Sequence, residues 1–191
     1  KFKLQFPNEF GTTQDERVSY LKEEDARRLI DEPIRIGGRQ GQSRYVERAI
    51  DRIVELTAGS PFYIQIFCNR LVEYMNQKRA KFVSDADVER IKNDLIRGVN
   101  ALSLDKFDNL VNSGDTSAEA IKDEDIRKVL TEVAKNSSPK SFCSRSNING
   151  DLEVPVDDIL KDLVNRDVLE RRNDTYCIRV DLFREWLVAH Q

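Results

Sequence analysis

Apolar side chains recur at intervals of three and four residues through the first half of the chain. This spacing predicts helices over 23–31, from Ser43 to Gly59, over 61–79 and over 85–97. The helix over 61–79 is apolar on most of its circumference, so we expect it at the centre of the domain. Its predicted core positions are Phe62, Ile64, Ile66, Phe67, Leu71, Val72 and Met75.

Polar residues at the helix boundaries support these predictions. Ser43 is a candidate N-cap for the second helix, and Ser60 followed by Pro61 predicts the start of the third. Ser84 with Asp87 three residues later has the form of a capping box. The opening KFKLQF is typical of a strand. The first half, residues 1–100, is therefore predicted to be a helical bundle that follows a strand remnant.

The second half, residues 101–191, shows a different order of elements. A helix capped by Ser103 is expected to reach about residue 112, where Ser113-Gly114 breaks it. The helices that follow are a longer one carrying Ile126, Val129, Leu130 and Val133, a short one at 144–148 and an amphipathic one at 155–166. Apolar residues then alternate over 168–172 and 176–180 about a turn at 173–175, and a last helix covers 182–189. Period-two segments joined by a short turn predict a β-hairpin. The whole chain is thus expected to be mainly α, a helical bundle followed by a winged helix-turn-helix with a hairpin wing.

Composition places the chain among globular proteins. Its 191 residues are 39% hydrophobic and 34% charged, which excludes collagen-like and low-complexity classes. The longest apolar stretch, 62–68, is much shorter than the roughly 20 residues of a membrane-spanning helix, so no membrane partner is expected. Three cysteines without C-x-x-C spacing favour a reducing, cytoplasmic setting. Because the chain starts at Lys1 and its only methionine is Met75, we expect a fragment of a larger protein.

Three segments combine motifs that are unusual together. They are VSYLKEEDARRLIDEPI at 18–34, IDRIVELTAGSPFYIQIFCNRLVEYMNQ at 50–77 and VLERRNDTYCIRVDLFREWLVAHQ at 168–191. The combination of T-x-G-x-P, a very apolar helix, a wing and a terminal F-x-x-W-L resembles the region after the nucleotide-binding core of STAND-type AAA+ ATPases. In that family a helical lid with a G-x-P motif precedes a winged helix.

The resemblance implies a site and a set of partners. Gly59-Ser60-Pro61 would be the G-x-P element, with its proline near the adenine of ATP or ADP, which the parent protein would bind with Mg. The implied partners are the parent's own nucleotide-binding core, other proteins and further copies of the chain. Two family features are not matched: Arg70 lies two turns beyond the start of the helix where many members carry a sensor arginine, and the only histidine, His190, stands beside the C-terminus.

The sequence does not predict chemistry within the chain itself. It contains no G-x-x-x-x-G-K-[ST] phosphate loop, and the glycine-rich IGGRQGQS at 36–43 lacks the Lys-Ser/Thr pair. His190, Cys143 and Cys177 lack an evident orienting group for nucleophilic catalysis. The acidic clusters at 123–125 and 157–158 fall at helix starts, where the dipole favours carboxylates, rather than at metal-ligand spacing. We therefore expect no catalytic or metal-binding residues and no cofactor in this fragment, although the parent would be an ATPase.

Three functions remain open at this point, and one of them is a protein-interaction domain with no link to nucleotide. The first is a non-catalytic regulatory region that couples nucleotide state to partner or intramolecular contacts through a hinge at 98–103. The alternative is a DNA-binding module of a regulator or an origin-type ATPase. Its basic edge around the wing would comprise Lys140, Arg145, Arg171, Arg172 and Arg179. The presumptive recognition helix, 155–167, holds four aspartates against Lys161 and Arg166, and this net charge opposes contact with phosphates.

Overall fold

Helices dominate the described part of the chain. The computed structural model describes residues 20–112 and 121–191. The helices are α1 (Glu23–Asp31), α2 (Ala49–Thr57), α3 (Pro61–Lys78), α4 (Asp85–Arg97), α5 (Asp108–Val111), α6 (Asp123–Lys135), α7 (Val156–Asn165) and α8 (Asp181–Ala189). The strands are β1 (Cys143–Ser144), β2 (Leu169–Arg172) and β3 (Thr175–Ile178), and single 3-10 turns occur at Glu32–Ile34, Leu104–Phe107 and Arg145–Asn147.

The three strands form one antiparallel sheet in the order β1-β3-β2. Leu169 faces Ile178 and Arg172 faces Thr175 in the β2–β3 pair, which confirms the predicted hairpin. Its turn is shorter than expected, because Thr175 already belongs to β3 and only Asn173 and Asp174 connect the strands. Asn173 has φ +53°, as the first central residue of a tight hairpin turn requires. A mainly helical chain with a small hairpin-based sheet is therefore established.

Helix α3 supplies much of the core of the first half. Ile64, Phe67 and Leu71 are almost completely buried, and Met75 is nearly so. Phe62 was predicted among these core positions, but its side chain is 46% exposed. The helical position next to Pro61 projects away from the core, so Tyr63 rather than Phe62 is the buried aromatic residue of the first turn.

The predicted start of the second helix at Ser43 is wrong. Helix α2 begins at Ala49, because the preceding residues pair with the segment after α3. The amide of Val83 donates to the carbonyl of Arg44 at 2.8 Å, and the amide of Val46 donates to Val83 at 2.9 Å. The hydroxyl of Ser43 instead donates to the carboxylate of Asp31 at 2.6 Å. The apolar residues at 45, 46 and 49 have helical spacing, but no helix is needed to bury Tyr45. A short backbone bridge between Tyr45 and Val83 buries it instead.

The other predicted N-cap residues, Ser60, Ser84 and Ser103, differ in whether their side chains make a capping hydrogen bond. Ser84 and Asp87 form the capping box at the start of α4, as predicted. Ser60 occupies the N-cap position of α3, but its side chain makes no capping hydrogen bond. Ser103 bonds to the side chain of Asp105, and the predicted helix up to residue 112 is divided into a 3-10 turn and α5.

Two further predictions concern the remaining irregular segments. The predicted short helix at 144–148 is replaced by β1 and a single 3-10 turn, because Cys143 and Ser144 pair with β3. The predicted strand KFKLQF and the break at Ser113-Gly114 lie outside the described residues.

Aromatic side chains join the two halves of the chain. Phe107 packs between Phe183 and Tyr63, with ring centres 4.7 and 5.6 Å away. The ring of Trp186 lies 5.3 Å from Phe107, and its indole N–H donates to the carbonyl of Leu102 at 2.6 Å. One continuous cluster of buried residues therefore extends across residue 100. The boundary between two domains near this residue stays a prediction.

Charged side chains reinforce the same contact. Arg52 of α2 pairs with Glu89 of α4 at 2.6 Å and approaches Asp181 of α8 at 3.8 Å. Lys92 of α4 pairs with Glu185 of α8 at 3.0 Å. The ion pairs bridge three helices, and Lys92 is buried, so they are less screened by solvent than isolated surface pairs.

The partly buried thiol of Cys68 predicts a loss of stability at alkaline pH. Burial raises the pKa of Cys68 to about 11 from an ordinary value of 9.0. Between these values the unfolded chain loses the thiol proton more readily than the folded chain does, so stability falls as pH rises from about 9 to about 11. Urea unfolding at a series of pH values measures this fall.

A Cys68→Ala variant is the matched control for that prediction. Its stability should decline less over the same pH range, although burial also raises the pKa of Tyr45, which lies 4.0 Å from the Cys68 sulfur. An identical decline in both proteins would contradict the assignment to Cys68.

Candidate functional site

The Gly59-Ser60-Pro61 turn connects α2 to α3 by two consecutive left-handed residues. Ala58 has φ +52° and Gly59 has φ +75°. The carbonyl of Gly59 accepts a hydrogen bond of 3.0 Å from the amide of Leu21. A Cβ atom at Gly59 would lie 2.9 Å from the carbonyl oxygen of Leu21, so the two segments can approach only because residue 59 has no side chain. The turn is thereby fixed to the residues that precede α1.

The first turn of α3 exposes apolar surface beside this connection. Pro61 occupies the first helical position and is half-buried, and the side chain of Phe62 beside it is 46% exposed. The carbonyl of Ser60 accepts the first helical hydrogen bond from Ile64 at 2.9 Å. A proline ring and an exposed phenyl ring can contact the face of a planar group, but they cannot by themselves hold phosphates or a metal ion.

Two tyrosines connect this end of the first half to the second half. The hydroxyl of Tyr20, the residue before Leu21, donates to the carbonyl of Asp167 at 3.1 Å. The hydroxyl of Tyr63 donates to the side-chain oxygen of Asn109 at 2.9 Å. The Tyr63 hydroxyl is protonated at neutral pH and can donate, and burial raises its pKa further above its ordinary value. No motif or spacing in the sequence marks Tyr20 as a contact residue. Its position next to the G-x-P contact becomes visible only when residues 21 and 59 are brought together.

The predicted basic edge is largely neutralised by carboxylates. Arg145 pairs with Asp157 at 2.6 Å, and Arg172 pairs with Glu170 at 2.9 Å. Arg145 also lowers the pKa of the Asp157 carboxyl, through a direct hydrogen bond. These two arginines are therefore already occupied by anions.

The other three members of the basic edge differ from one another. Arg179 approaches Asp167 at 3.5 Å and lies over the ring of Tyr20. Arg171 donates to the backbone carbonyl of Asn173 at 2.7 Å, and Lys140 is exposed. Within residues 20–112 and 121–191, neither Arg171 nor Lys140 has a carboxylate partner. Two of the five predicted cations therefore have no carboxylate partner among the described residues.

Helix α7, which the sequence predicts to be a recognition helix, keeps its acidic character in the fold. Arg166 pairs with Asp162 at 2.8 Å and also directs its guanidinium toward the carbonyls of 110–112. Asp158 and Lys161 remain exposed. With Arg166 engaged internally, the surface of α7 offers little positive charge to a phosphate backbone.

The remaining chemically reactive side chains have structural contacts. The ring of His190 stacks on Trp186 with ring centres 4.2 Å apart. Cys143 and Cys177 are buried, and burial raises the pKa of both thiols, which disfavours the nucleophilic thiolate. The acidic clusters occupy the first turns of α6 and α7, as predicted, and Asp125 accepts a hydrogen bond from the amide of Glu153 at 2.8 Å.

Two features are absent from the part of the chain that the structure describes. Within it, no group of three or more His, Cys, Asp or Glu side chains is arranged to hold a metal ion. None of the described helices is both long and apolar enough to cross a membrane.

Comparisons with protein-family models, with curated proteins and with solved structures found no match. A functional assignment for this chain therefore depends on its own residues and their contacts.

Proposed function

We propose that this chain is a non-catalytic regulatory portion of a STAND-type or related AAA+ ATP-binding protein. Residues 1–100 would be its helical lid, and residues 101–191, with the β2–β3 hairpin as the wing, would be its winged helix. The observation that carries the proposal is the pair of tyrosines at the Gly59-Ser60-Pro61 end. Tyr20 and Tyr63 link this end directly to the second half through Asp167 and Asn109.

The contacts suggest how a nucleotide could influence the second half. Pro61 and the exposed ring of Phe62 fit the face of an adenine, whereas the phosphates and Mg²⁺ would be held by the parent's nucleotide-binding core. Gly59 transmits the position of this turn to Leu21 by a backbone hydrogen bond, and Tyr20 is the next residue. A small displacement of residues 59–61 would therefore alter the hydrogen bond from Tyr20 to Asp167.

The segment 98–103 is suited to absorb a rotation between the halves. Val99 is completely exposed, whereas Leu102 is anchored through its amide to Leu95 and through its carbonyl to Trp186. A conformational change requires contacts that differ between two states. The hydrogen bonds of Leu102 to Leu95 and to Trp186 are the contacts that would break in one state and form in the other.

Hydrogen exchange on the full-length protein tests the coupling. We expect ATP and ADP to produce different protection at 20–21, 59–63 and 98–103. Pro61→Ala should weaken nucleotide binding several-fold, since alanine preserves the helix but removes the ring. Pro155→Ala, an exposed proline before α7, is the matched control and should leave nucleotide binding unchanged. Identical exchange with and without nucleotide would overturn the proposal.

A DNA-binding module is the alternative function. The observation that favours it is that Arg171 and Lys140 have no carboxylate partner in the part of the chain that the structure describes. Binding of random duplex in low salt would support this alternative if replacing Arg171 and Arg172 with glutamate weakened it. Binding that is unaffected by these changes would exclude the wing as the DNA-contacting surface.

A further inference from the structure

A polar cleft of about 420 Å³ lies between α3 and α4. Its polar lining consists of Arg70, Tyr74 and Gln77 of α3 and of Arg90, Asn93, Asp94 and Arg97 of α4. Arg90 and Arg97 are seven residues apart, so they occupy one face of α4 about 10 Å apart along its axis. Arg70 lies nine residues after Pro61, or about 14 Å along α3, which separates the cleft from the Gly59-Ser60-Pro61 turn.

The three arginines differ in their ion pairs. Arg70 is held in place by Asp94 and Glu73, each at 2.8 Å, so its position is fixed but its charge is largely balanced. Arg90 and Arg97 are exposed, and neither has a carboxylate partner in the described residues. Two guanidinium groups are therefore available at the mouth of the cleft.

The ring of Tyr74 brings positive charges together. The ammonium of Lys78 lies 4.6 Å from the ring centre, and the guanidinium of Arg90 lies 5.6 Å from it. Each cation gains from the ring face, but the two repel each other. Burial opposes ionisation of Asp87, but hydrogen bonds from Ser84, then one from Tyr74 and the charge of Lys78, lower its pKa overall, so its carboxylate compensates part of this positive charge. An additional anion at this position would relieve the remaining repulsion.

We propose that the α3–α4 cleft binds the phosphate groups of an anionic ligand. Arginine forks match the oxygens of phosphate in paired hydrogen bonds, and the side-chain amides of Gln77 and Asn93 add neutral donors. The volume lies within the range of small-ligand sites. Two sources share this chemistry, a small polyphosphate and the backbone of a nucleic acid strand. The site is independent of the proposed nucleotide coupling, since it involves none of the residues of the G-x-P turn.

Binding of two probes to the 191-residue chain tests this site. The probes are inorganic tripolyphosphate, followed by calorimetry, and a fluorescent single-stranded oligothymidine, followed by anisotropy in low salt. Replacing both Arg90 and Arg97 with glutamate should weaken binding by about tenfold or more, because two attractions become repulsions. The matched control replaces Arg39 and Arg127, two exposed arginines outside the cleft and the wing, with glutamate. It alters net charge equally and should change affinity by less than about twofold. Circular dichroism verifies that both variants fold.

The outcomes separate the two ligand sources. Tripolyphosphate that binds and displaces the oligonucleotide identifies a small-phosphate site, whereas oligonucleotide binding without tripolyphosphate binding identifies a nucleic acid backbone. The proposal is overturned if neither probe binds, if both double variants weaken binding equally, or if a poly-glutamate peptide competes as well as the phosphate probes.

Discussion

Replacing Phe107 with alanine should lower the free energy of unfolding by about 3–5 kcal/mol. The side chain is completely buried and has Tyr63, Phe183 and Trp186 around it. Its removal loses the transfer free energy of the ring and leaves a cavity that three rigid aromatic neighbours cannot easily fill. Because the neighbours belong to α3 and α8, the loss should also weaken the contact between the two halves.

Urea unfolding measures this effect, and Phe82→Ala is its matched control. Phe82 is 42% exposed, so its truncation should change stability by no more than about 0.5 kcal/mol. A second transition in the unfolding curve of the Phe107 variant would show that the halves have lost their cooperativity. A cost below about 1 kcal/mol would contradict the central role of Phe107.

This aromatic cluster illustrates what the sequence could not predict. The helices over 61–78, 85–97 and 156–165 follow from apolar periodicity, because one face of each is buried along its whole length. Phe107 lies in a 3-10 turn without such periodicity, and its partners are distant in sequence. Contacts between residues on separate elements depend on how the elements pack, and spacing within one element does not record that arrangement.

The boundary of α2 shows a second limit. The pattern of apolar residues near Tyr45 fits a helix and a short backbone bridge equally well, because both bury the same side chains. The bridge forms since the segment after α3 returns beside Tyr45 and offers the amide and carbonyl of Val83. A competing partner that lies almost 40 residues away in the chain thus determines the local structure.

Some features of the candidate sites can also be predicted from the sequence, whereas others depend on contacts between separate elements. Gly59 and Pro61 are recognisable from sequence, since each has a local conformational role. Counting basic residues along the sequence is a poorer guide to a DNA-binding surface. It treats Arg145 and Arg172 as available to phosphates, although each pairs with an acidic residue in the fold. The seven-residue spacing of Arg90 and Arg97 was a usable signal for the α3–α4 cleft. The missing information was that Arg70 and Tyr74 face them from the neighbouring helix.

Replacing Gly59 with alanine should cost about 2–4 kcal/mol, the second largest effect that we expect. A non-glycine residue at φ +75° loses about 1–2 kcal/mol, and the new Cβ would also force the Leu21 carbonyl away from its position 2.9 Å distant. Gly38→Ala is the matched control, because Gly38 has φ +86° but open space where its Cβ would project. Urea unfolding should therefore show a smaller loss for Gly38, and the difference between the variants measures the contact with Leu21. Equal losses would mean that the close approach is unimportant and that residue 59 cannot transmit the position of the turn to Tyr20.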